Sequence, residues 1–220
     1  MIKWLHQHGV NAPKLPPIFA PKSPLIFAPI FAIILAITVA ACSPSSPMVH
    51  QSRSPDLSLE TFFTGDTVAY GIFEDRYGNL KRQFRVNITG TLDGDTLTLD
   101  EYFLYDDGET DQRVWVIKNL GQQDDGSLRY EGEAADVIGV ASGQIGGNAL
   151  NWVYDIDLAI GDSSLRVKFN DWIYQQDENV AINRAYVSKY GIHIGSVTLV
   201  FLRGNLAEQL YPLDLKNWPQ

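Results

Sequence analysis

Along most of this chain apolar and polar residues alternate with a period of two, and this pattern restricts the fold more than any other feature. One run places Leu150, Trp152, Tyr154, Ile156 and Leu158 on a single face. Three further runs alternate in the same way: Phe84, Val86 and Ile88; Leu97, Leu99, Phe103 and Tyr105; and Leu165, Val167, Phe169 and Ile173. Successive residues of a β-strand point to opposite faces, so each run predicts a strand with one buried face.

Short turn sequences separate these runs at regular intervals. They are Gly78-Asn79, Asp93-Gly94, Asp107-Gly108, Asp125-Gly126, Gly146-Gly147 and Gly161-Asp162. Glycine next to asparagine or aspartate favours the turns that close antiparallel hairpins. A two-residue turn at Gly78-Asn79 pairs Phe73 with Phe84. The same register brings Asp75 opposite Arg82, so that unlike charges meet.

Runs and turns together predict about nine strands with a final one after them. They lie near 67–75, 81–90, 95–105, 112–119, 128–135, 139–144, 149–159, 164–175, 180–189 and 192–203. Exposed sheet edges promote aggregation, so a meander of this length must close or be covered. We therefore predict an all-β fold, an antiparallel up-and-down β-barrel of lipocalin-like form, with a two-sheet β-sandwich as the alternative.

Three ionisable residues fall on the predicted apolar faces: Glu101, Asp171 and Arg184. A hairpin centred on Asp177-Glu178 would bring Asp171 opposite Arg184. This arrangement is chemically sensible, because an unpaired buried charge costs several kcal/mol. Such a pair either fixes the strand register or holds the polar end of a ligand in an apolar cavity. Glu101 has no evident partner, so it lies either in solvent at the barrel mouth or in the ligand site.

The N-terminal region has the pattern of a bacterial lipoprotein signal. An apolar run at 25–41 follows three lysines and ends in small residues before Cys42, the only cysteine. Pro29 and the length of about 17 residues argue against a transmembrane helix, which needs about 20, although a signal anchor remains the alternative. We predict a signal peptide at 1–41 and fatty acylation, including palmitate, of Cys42. Since Ser43 rather than Asp follows, the predicted location is the periplasmic face of the outer membrane.

The remaining boundaries follow from composition. The polar, proline-rich stretch 42–58 predicts a flexible tether, 59–204 the barrel domain and 205–220 a C-terminal tail. Without the three lysines of residues 1–41, the chain keeps 14 basic and 26 acidic side chains, a net charge of −12. Nucleic acid and anionic membrane surfaces repel such a body, so nucleic acid is excluded as a partner.

Enzyme motifs are weak in this sequence. Beyond the leader only His50 and His193 remain, and there is no G-x-S-x-G motif, so neither a hydrolytic triad nor a zinc site is expected. The acidic run Asp106–Asp111 lacks the ligand spacing of an EF-hand and predicts a charged hairpin tip. We predict no metal, no cofactor and no catalytic residue. Carboxylate pairs are common enough that an enzyme acting on lipid stays open.

Several segments carry a family resemblance. They are 70–78 (YGIFEDRYG), 106–109 (DDGE), 113–115 (RVW), 147–150 (GNAL), 171–174 (DWIY) and 183–185 (NRA). With them, the stretch from Gly71 to Arg203 resembles a family of uncharacterised lipoproteins, found mainly in proteobacteria, with a domain of unknown function. The resemblance implies a lipocalin-like barrel on a lipid anchor. Family members are often encoded beside enzymes similar to cyclopropane fatty acid synthases, which implies a connection with lipid.

Lipocalins also have a G-x-W motif on the first strand and a sealing arginine on the last. In the corresponding regions this chain has Gly71-Ile72-Phe73, without the tryptophan, and Arg203. The resemblance therefore implies Arg203 as the residue that seals the bottom of the barrel.

Two functions of different classes fit this sequence. The first is a binding protein that takes an apolar fatty-acyl or phospholipid ligand into the barrel. Its predicted site combines polar residues (Asp171, Arg184, Glu101) with aromatic ones (Trp152, Tyr154, Phe84, Phe103, Phe169). The second is an envelope interaction protein whose barrel is filled by its own side chains. The sequence identifies no protein partner for it.

Overall fold

Ten antiparallel strands close into an up-and-down barrel, in which each strand pairs with its neighbours in sequence and β1 pairs with β10. The computed structural model describes residues 45–160 and 163–218. The strands are β1 (Gly65–Asp75), β2 (Leu80–Asp93), β3 (Thr96–Tyr105), β4 (Thr110–Gln122), β5 (Leu128–Glu133), β6 (Val137–Gly146), β7 (Ala149–Ile160), β8 (Ser163–Gln175), β9 (Val180–Lys189) and β10 (Ile192–Arg203). The predicted barrel is confirmed, and a strand lies at each predicted range.

Closure leaves the barrel without a free edge, and the alternating residues of each strand divide into an inner and an outer face. The predicted inner faces of β2, β3, β7 and β8 are confirmed, because their apolar residues form one buried cluster with its partly buried neighbours. On β7, the indole of Trp152 lies flat against two glycines. A Cβ atom at Gly143 or Gly132 would come within 2.4 or 2.5 Å of that ring. Glycine on β5 and β6 therefore makes room for tryptophan on β7.

The first hairpin differs from the prediction by two residues in register. Phe73 pairs with Arg82 instead of Phe84, and an irregularity follows at Glu74. The carboxylate of Asp75 accepts hydrogen bonds from the backbone N–H groups of Tyr77 and Asn79, which holds a longer turn than the predicted two-residue one. A shift of two residues preserves the inner and outer faces, so the face assignment survives this error.

One end of the barrel is closed by a short helix, α1 (Leu59–Phe63), that precedes β1. Ser58 caps it by accepting a hydrogen bond from the N–H of Thr61. Leu59, Phe62 and Phe63 are each at most 3% exposed, as expected for a plug in the end of the barrel. At this end Arg203 lies over the ring of Phe62, with its guanidinium carbon 5.7 Å from the ring centroid.

Arg203 thus covers the plug, at the place that the family resemblance implies for a sealing arginine. Its partner on β1 is Thr67, whereas Phe73 lies toward the other end of that strand. Gly71-Ile72-Phe73 therefore lies away from Arg203 along β1.

The plug is also held by a polar contact at its first turn. The carboxylate of Glu60 accepts hydrogen bonds from Asn119 Nδ2 at 2.7 Å and from Tyr130 Oη at 3.1 Å. Burial alone would raise the pKa of Glu60, but the hydrogen bonds outweigh it and lower the pKa. Glu60 therefore ties α1 to β4 and β5.

Residues 45–58, within the predicted tether, pack against the barrel. A 3-10 helix, Pro47–His50, begins this segment, and Leu57 near its end is 2% exposed. The N–H of Leu57 donates to the carbonyl of Gly147, in the β6–β7 turn at the closed end. Leu57 and Pro47 are buried against the barrel, and this apolar contact outweighs the polar composition of the segment.

The C-terminal region packs on the outside of the barrel instead of forming a free tail. Helix α2 (Gly204–Glu208) follows β10, and Leu213 beyond it is 9% exposed. The side chain of Asn87 on β2 exchanges two hydrogen bonds with the backbone of Leu213. Predicted boundaries at 59 and 204 therefore describe the barrel but not the full extent of the folded unit.

The predicted signal peptide 1–41, Cys42 and the turn Gly161-Asp162 lie outside the described residues. Among the helices between residues 45 and 218 that the structure describes, none is long and apolar enough to cross a bilayer.

Candidate functional site

The barrel encloses a cavity of about 370 Å3 beyond the plug. Leu59 and Phe63 of α1 form its floor. Besides Phe63, its aromatic lining residues are Phe73, Phe84, Phe103, Tyr105, Trp115, Trp152, Tyr154, Phe169 and Phe201. At the end opposite the plug, Leu158 lines the cavity and is 37% exposed, whereas Phe63 at the floor is 3% exposed. The cavity is therefore sealed below and accessible from the other end, which we call the mouth.

Seven of the eight predicted site residues line this cavity. They are Glu101, Asp171, Trp152, Tyr154, Phe84, Phe103 and Phe169. Period-two alternation found them because β2, β3, β7 and β8 carry it without interruption. Their location is established, and ligand binding by them stays a prediction.

The eighth, Arg184, was predicted to face inward, and this is wrong. It lies exposed on the outer face of β9, where its guanidinium carbon is 5.6 Å from the ring centroid of Tyr186. The residue opposite Arg184 is Trp172, and the residue opposite Asp171 is Ala185. Asp171 therefore has no arginine partner on β9.

The β8–β9 loop causes this one-residue slip. Asp177 accepts hydrogen bonds from the backbone N–H groups of Asn179 at 2.7 Å and Val180 at 2.9 Å. The N–H of Gln176 donates to the carbonyl of Val180, so three residues form the loop instead of the predicted two. An odd shift exchanges the two faces of a strand. Asn183, and not Arg184, consequently points into the cavity.

The cation that the sequence analysis missed is Arg113 on β4. It lines the cavity, pairs in register with Glu101 on β3 and forms a salt bridge with Asp136. Burial would lower the pKa of Arg113, but Tyr154, Asp136 and Glu101 raise it above its ordinary value, so that it stays charged. Arg113, Trp115 and Ile117 are spaced two residues apart, and this spacing could have indicated that they share the inner face of β4.

Glu101 faces Arg113 from the neighbouring strand and remains half-buried, since part of its surface is turned to the cavity. Burial raises its pKa to about 7, against the opposing effect of Arg113. Asp136 and Asp171 raise it further as like charges. Glu101 therefore exchanges protons near neutral pH.

Asp171 is more deeply buried, with 8% of its surface exposed. Its Oδ2 accepts a hydrogen bond from the hydroxyl of Tyr154 at 3.3 Å, and its Oδ1 has no partner. Burial raises the pKa of Asp171 to about 7, although Asn183, Tyr154 and Arg113 all favour the charged form. The side chain of Asn183 lowers the pKa of Asp171 from nearby, although it forms no hydrogen bond of ordinary geometry with Oδ1.

Arg82 stands at the mouth. Its guanidinium carbon is 3.6 Å from the ring centroid of Tyr105, a cation–π contact. Asp107 at 2.8 Å and Glu109 both form salt bridges with it. The acidic hairpin tip predicted at 106–111 is thus partly neutralised by Arg82.

Chemically, the site offers two carboxyl groups whose pKa values are raised to about 7, two guanidinium groups, two phenols and one carboxamide inside apolar walls. Within residues 45–160 and 163–218, no three His, Cys, Asp or Glu side chains group closely enough to hold a metal ion. The two histidines lie elsewhere: His50 packs near Trp172 outside the barrel, and His193 is exposed on β10. The arrangement is suited to orienting the polar end of an apolar molecule.

Comparisons with known proteins give a family but no activity. A family model described as protein of unknown function (DUF3833) matches residues 36–203. No curated protein matches the sequence.

Two solved structures are weakly similar to this chain. The S-type phycobiliprotein lyase CPES from Guillardia theta is 12% identical with a TM-score of 0.47, over 73% of this chain and 99% of that chain. The ywiB protein from Bacillus subtilis is 16% identical with a TM-score of 0.32, over 64% and 93%. The family match covers well over half of the sequence and includes all ten strands. The chain therefore belongs to the DUF3833 family, whose function is unknown.

Proposed function

We propose that this protein is a lipid-anchored, non-enzymatic binding protein that takes one acyl-chain ligand into its barrel at the periplasmic face of the outer membrane. The observation that carries the proposal is the cavity of about 370 Å3, with apolar walls and a few polar groups. Ligand sites in proteins combine these same properties.

The volume supports a small ligand. Cavities that bind small molecules span about 300–1,000 Å3, and this one is near the lower limit. One acyl chain suits such a space better than a phospholipid with two chains. Of the predicted ligands, a single-chain fatty-acyl molecule is therefore the better match.

The distribution of side chains supports an oriented ligand. Apolar side chains of Phe84, Phe103 and Phe169 would contact the chain. The polar group of the cavity consists of Glu101 and Arg113 on the adjacent strands β3 and β4, and Asp171 on β8 across the barrel. Burial of each methylene contributes about 0.8 kcal/mol, and the polar group would fix which end of the ligand enters first.

The alternative function assumed a barrel filled by its own side chains. Side chains do occupy part of the interior, where Trp115 and Trp152 meet edge to face at a centroid distance of 5.7 Å. A cavity of about 370 Å3 remains between these rings and the other lining side chains. This cavity favours the binding function over the alternative.

Native mass spectrometry of the full chain purified from bacterial membranes tests ligand binding. Val197→Trp is the matched variant, because Val197 lines the cavity and a larger side chain would occupy it. The proposal expects a single-chain lipid mass on the wild-type protein and none on the variant, with equal thermal unfolding of both. A wild-type mass without any bound ligand, after incubation with total membrane lipid, would refute ligand binding.

The anchor is tested separately. Growth with labelled palmitate should label the protein, and Cys42→Ser should abolish both the label and the outer-membrane fractionation. A label that persists in Cys42→Ser would refute acylation at this residue.

A further inference from the structure

Two buried hydrogen-bond acceptors that line the cavity lack a donor. They are Oδ1 of Asp171 and Oδ1 of Asn183, and their residues are 8% and 5% exposed. Folded proteins satisfy most buried polar atoms, since leaving one unpaired costs about 1–3 kcal/mol. Unpaired acceptors that face a cavity therefore point to a ligand that donates.

The two acceptors are close enough to serve one head group. On β8 and β9, Asp171 pairs with Ala185 and Ile173 pairs with Asn183. Asp171 and Asn183 are thus diagonal neighbours on the same face, and the side chain of Asn183 is near enough to lower the pKa of Asp171. Because the amide of Asn183 can be reversed without a change of shape, Asp171 carries the inference and Asn183 supplies the second contact.

The charges around Asp171 also select the head group. Glu101, Asp136 and Asp171 provide three carboxyl groups, and Arg113 provides one guanidinium. Arg82 at the mouth already has two carboxylate partners. A ligand carboxylate or phosphate would meet like charge here, whereas a donor head would find acceptors.

We propose that the ligand is a single-chain amphiphile whose head is a hydrogen-bond donor, of the long-chain amine or alcohol class. The head is bound by Asp171 and Asn183, and the chain lies against Phe169 and Phe103. This inference rests on the proposed function for the single chain in the barrel and replaces the fatty-acyl head by a donor head, so a free fatty acid becomes the disfavoured ligand.

Calorimetric titration of the full chain with decylamine, 1-decanol, decanoic acid and decane, at about pH 8, tests the head group. All four have the same chain, so differences in affinity report on the head. Donor heads should bind at least about tenfold more tightly than decanoate, because a like-charge contact in a buried site costs several kcal/mol. Asp171→Asn should reduce the advantage of the amine over decanoate at least about tenfold, because it removes the negative charge.

Decanoate binding as tightly as the amine would overturn the inference while leaving the proposed function intact. An unchanged amine-to-acid ratio in Asp171→Asn would also overturn it. Asn183→Leu provides a second variant. It should bind 1-decanol more weakly than the wild type does, whereas its affinity for decane should be unchanged. The proposed function itself fails if none of the four compounds binds, or if Val197→Trp binds them as tightly as the wild type does.

Discussion

Replacement of Asp171 by asparagine should stabilise the fold above neutral pH and have little effect in acid. The pKa of Asp171 is raised from 3.8 to about 7 by burial. The folded protein therefore holds this proton more tightly than the unfolded chain does. The favourable contribution is complete below about pH 4 and is lost as the pH rises through about 7.

A shift of about 3 units, at 1.36 kcal/mol per unit, corresponds to at most about 4 kcal/mol of lost stability. Asparagine does not ionise and still accepts the hydrogen bond from Tyr154. The unfolding free energies of wild type and Asp171→Asn should therefore be similar near pH 4. Near pH 8 the variant should be more stable by about 2–4 kcal/mol.

Urea unfolding of the full chain, followed by tryptophan fluorescence at several values between pH 4 and 8, measures this difference. Asp124→Asn, in the exposed β4–β5 turn, is the matched control and should follow the wild type at every pH. Carboxyl groups with lowered pKa values, such as Asp107 and Asp157, lose their stabilising contribution as the pH falls. This effect is the same in wild type and variant, so it cancels in the difference of their unfolding free energies. Parallel curves for wild type and Asp171→Asn would show that the buried carboxylate ionises without cost, and the electrostatic account of the site would be refuted.

Three other substitutions test the packing and the register. Gly143→Ala places a Cβ about 2.4 Å from the ring of Trp152 and should cost about 1–3 kcal/mol in thermal unfolding, with Ser142→Ala on the outer face as a neutral control. Phe62→Ala removes a plug residue that is 1% exposed and should cost about 3–5 kcal/mol in urea unfolding; a change below about 1 kcal/mol would mean that the plug is dispensable. Arg184→Ala should change stability by less than about 0.5 kcal/mol and leave ligand affinity unchanged, and a large loss of affinity would restore the inward orientation.

Sequence pattern predicted the barrel because the strands are half-buried and local. On β7 every second residue from Leu150 to Leu158 is apolar and lines the cavity, so face and period could be read directly. The inward orientation of Arg113 could not be predicted, because Val114 and Val116 on the outer face of β4 are also apolar. These two side chains are 40% and 47% exposed. Alternation in hydrophobicity fails wherever both faces are apolar.

Register across a hairpin was harder to predict, because it depends on side-chain bonds within the turn. The carboxylates of Asp75 and Asp177 each hold backbone N–H groups and lengthen their loops. At the first hairpin the shift is even and harmless to the face assignment. Between β8 and β9 it is odd, so Arg184 and Asn183 exchange places.

With Cys42 acylated as proposed, the N-terminal segment would set the direction in which the barrel can exchange its contents. It is fastened beside Gly147, at the plugged end, and only Ser43 and Pro44 separate Ser45 from the proposed acylation site. Three residue spacings reach at most about 11 Å, so acyl chains on Cys42 would keep the plugged end close to the bilayer and turn the mouth toward the aqueous phase. A protein tethered in this way cannot draw its cargo sideways out of the leaflet that holds it. Under the proposed anchoring, the barrel would receive its ligand from, or hand it over to, something across the periplasm.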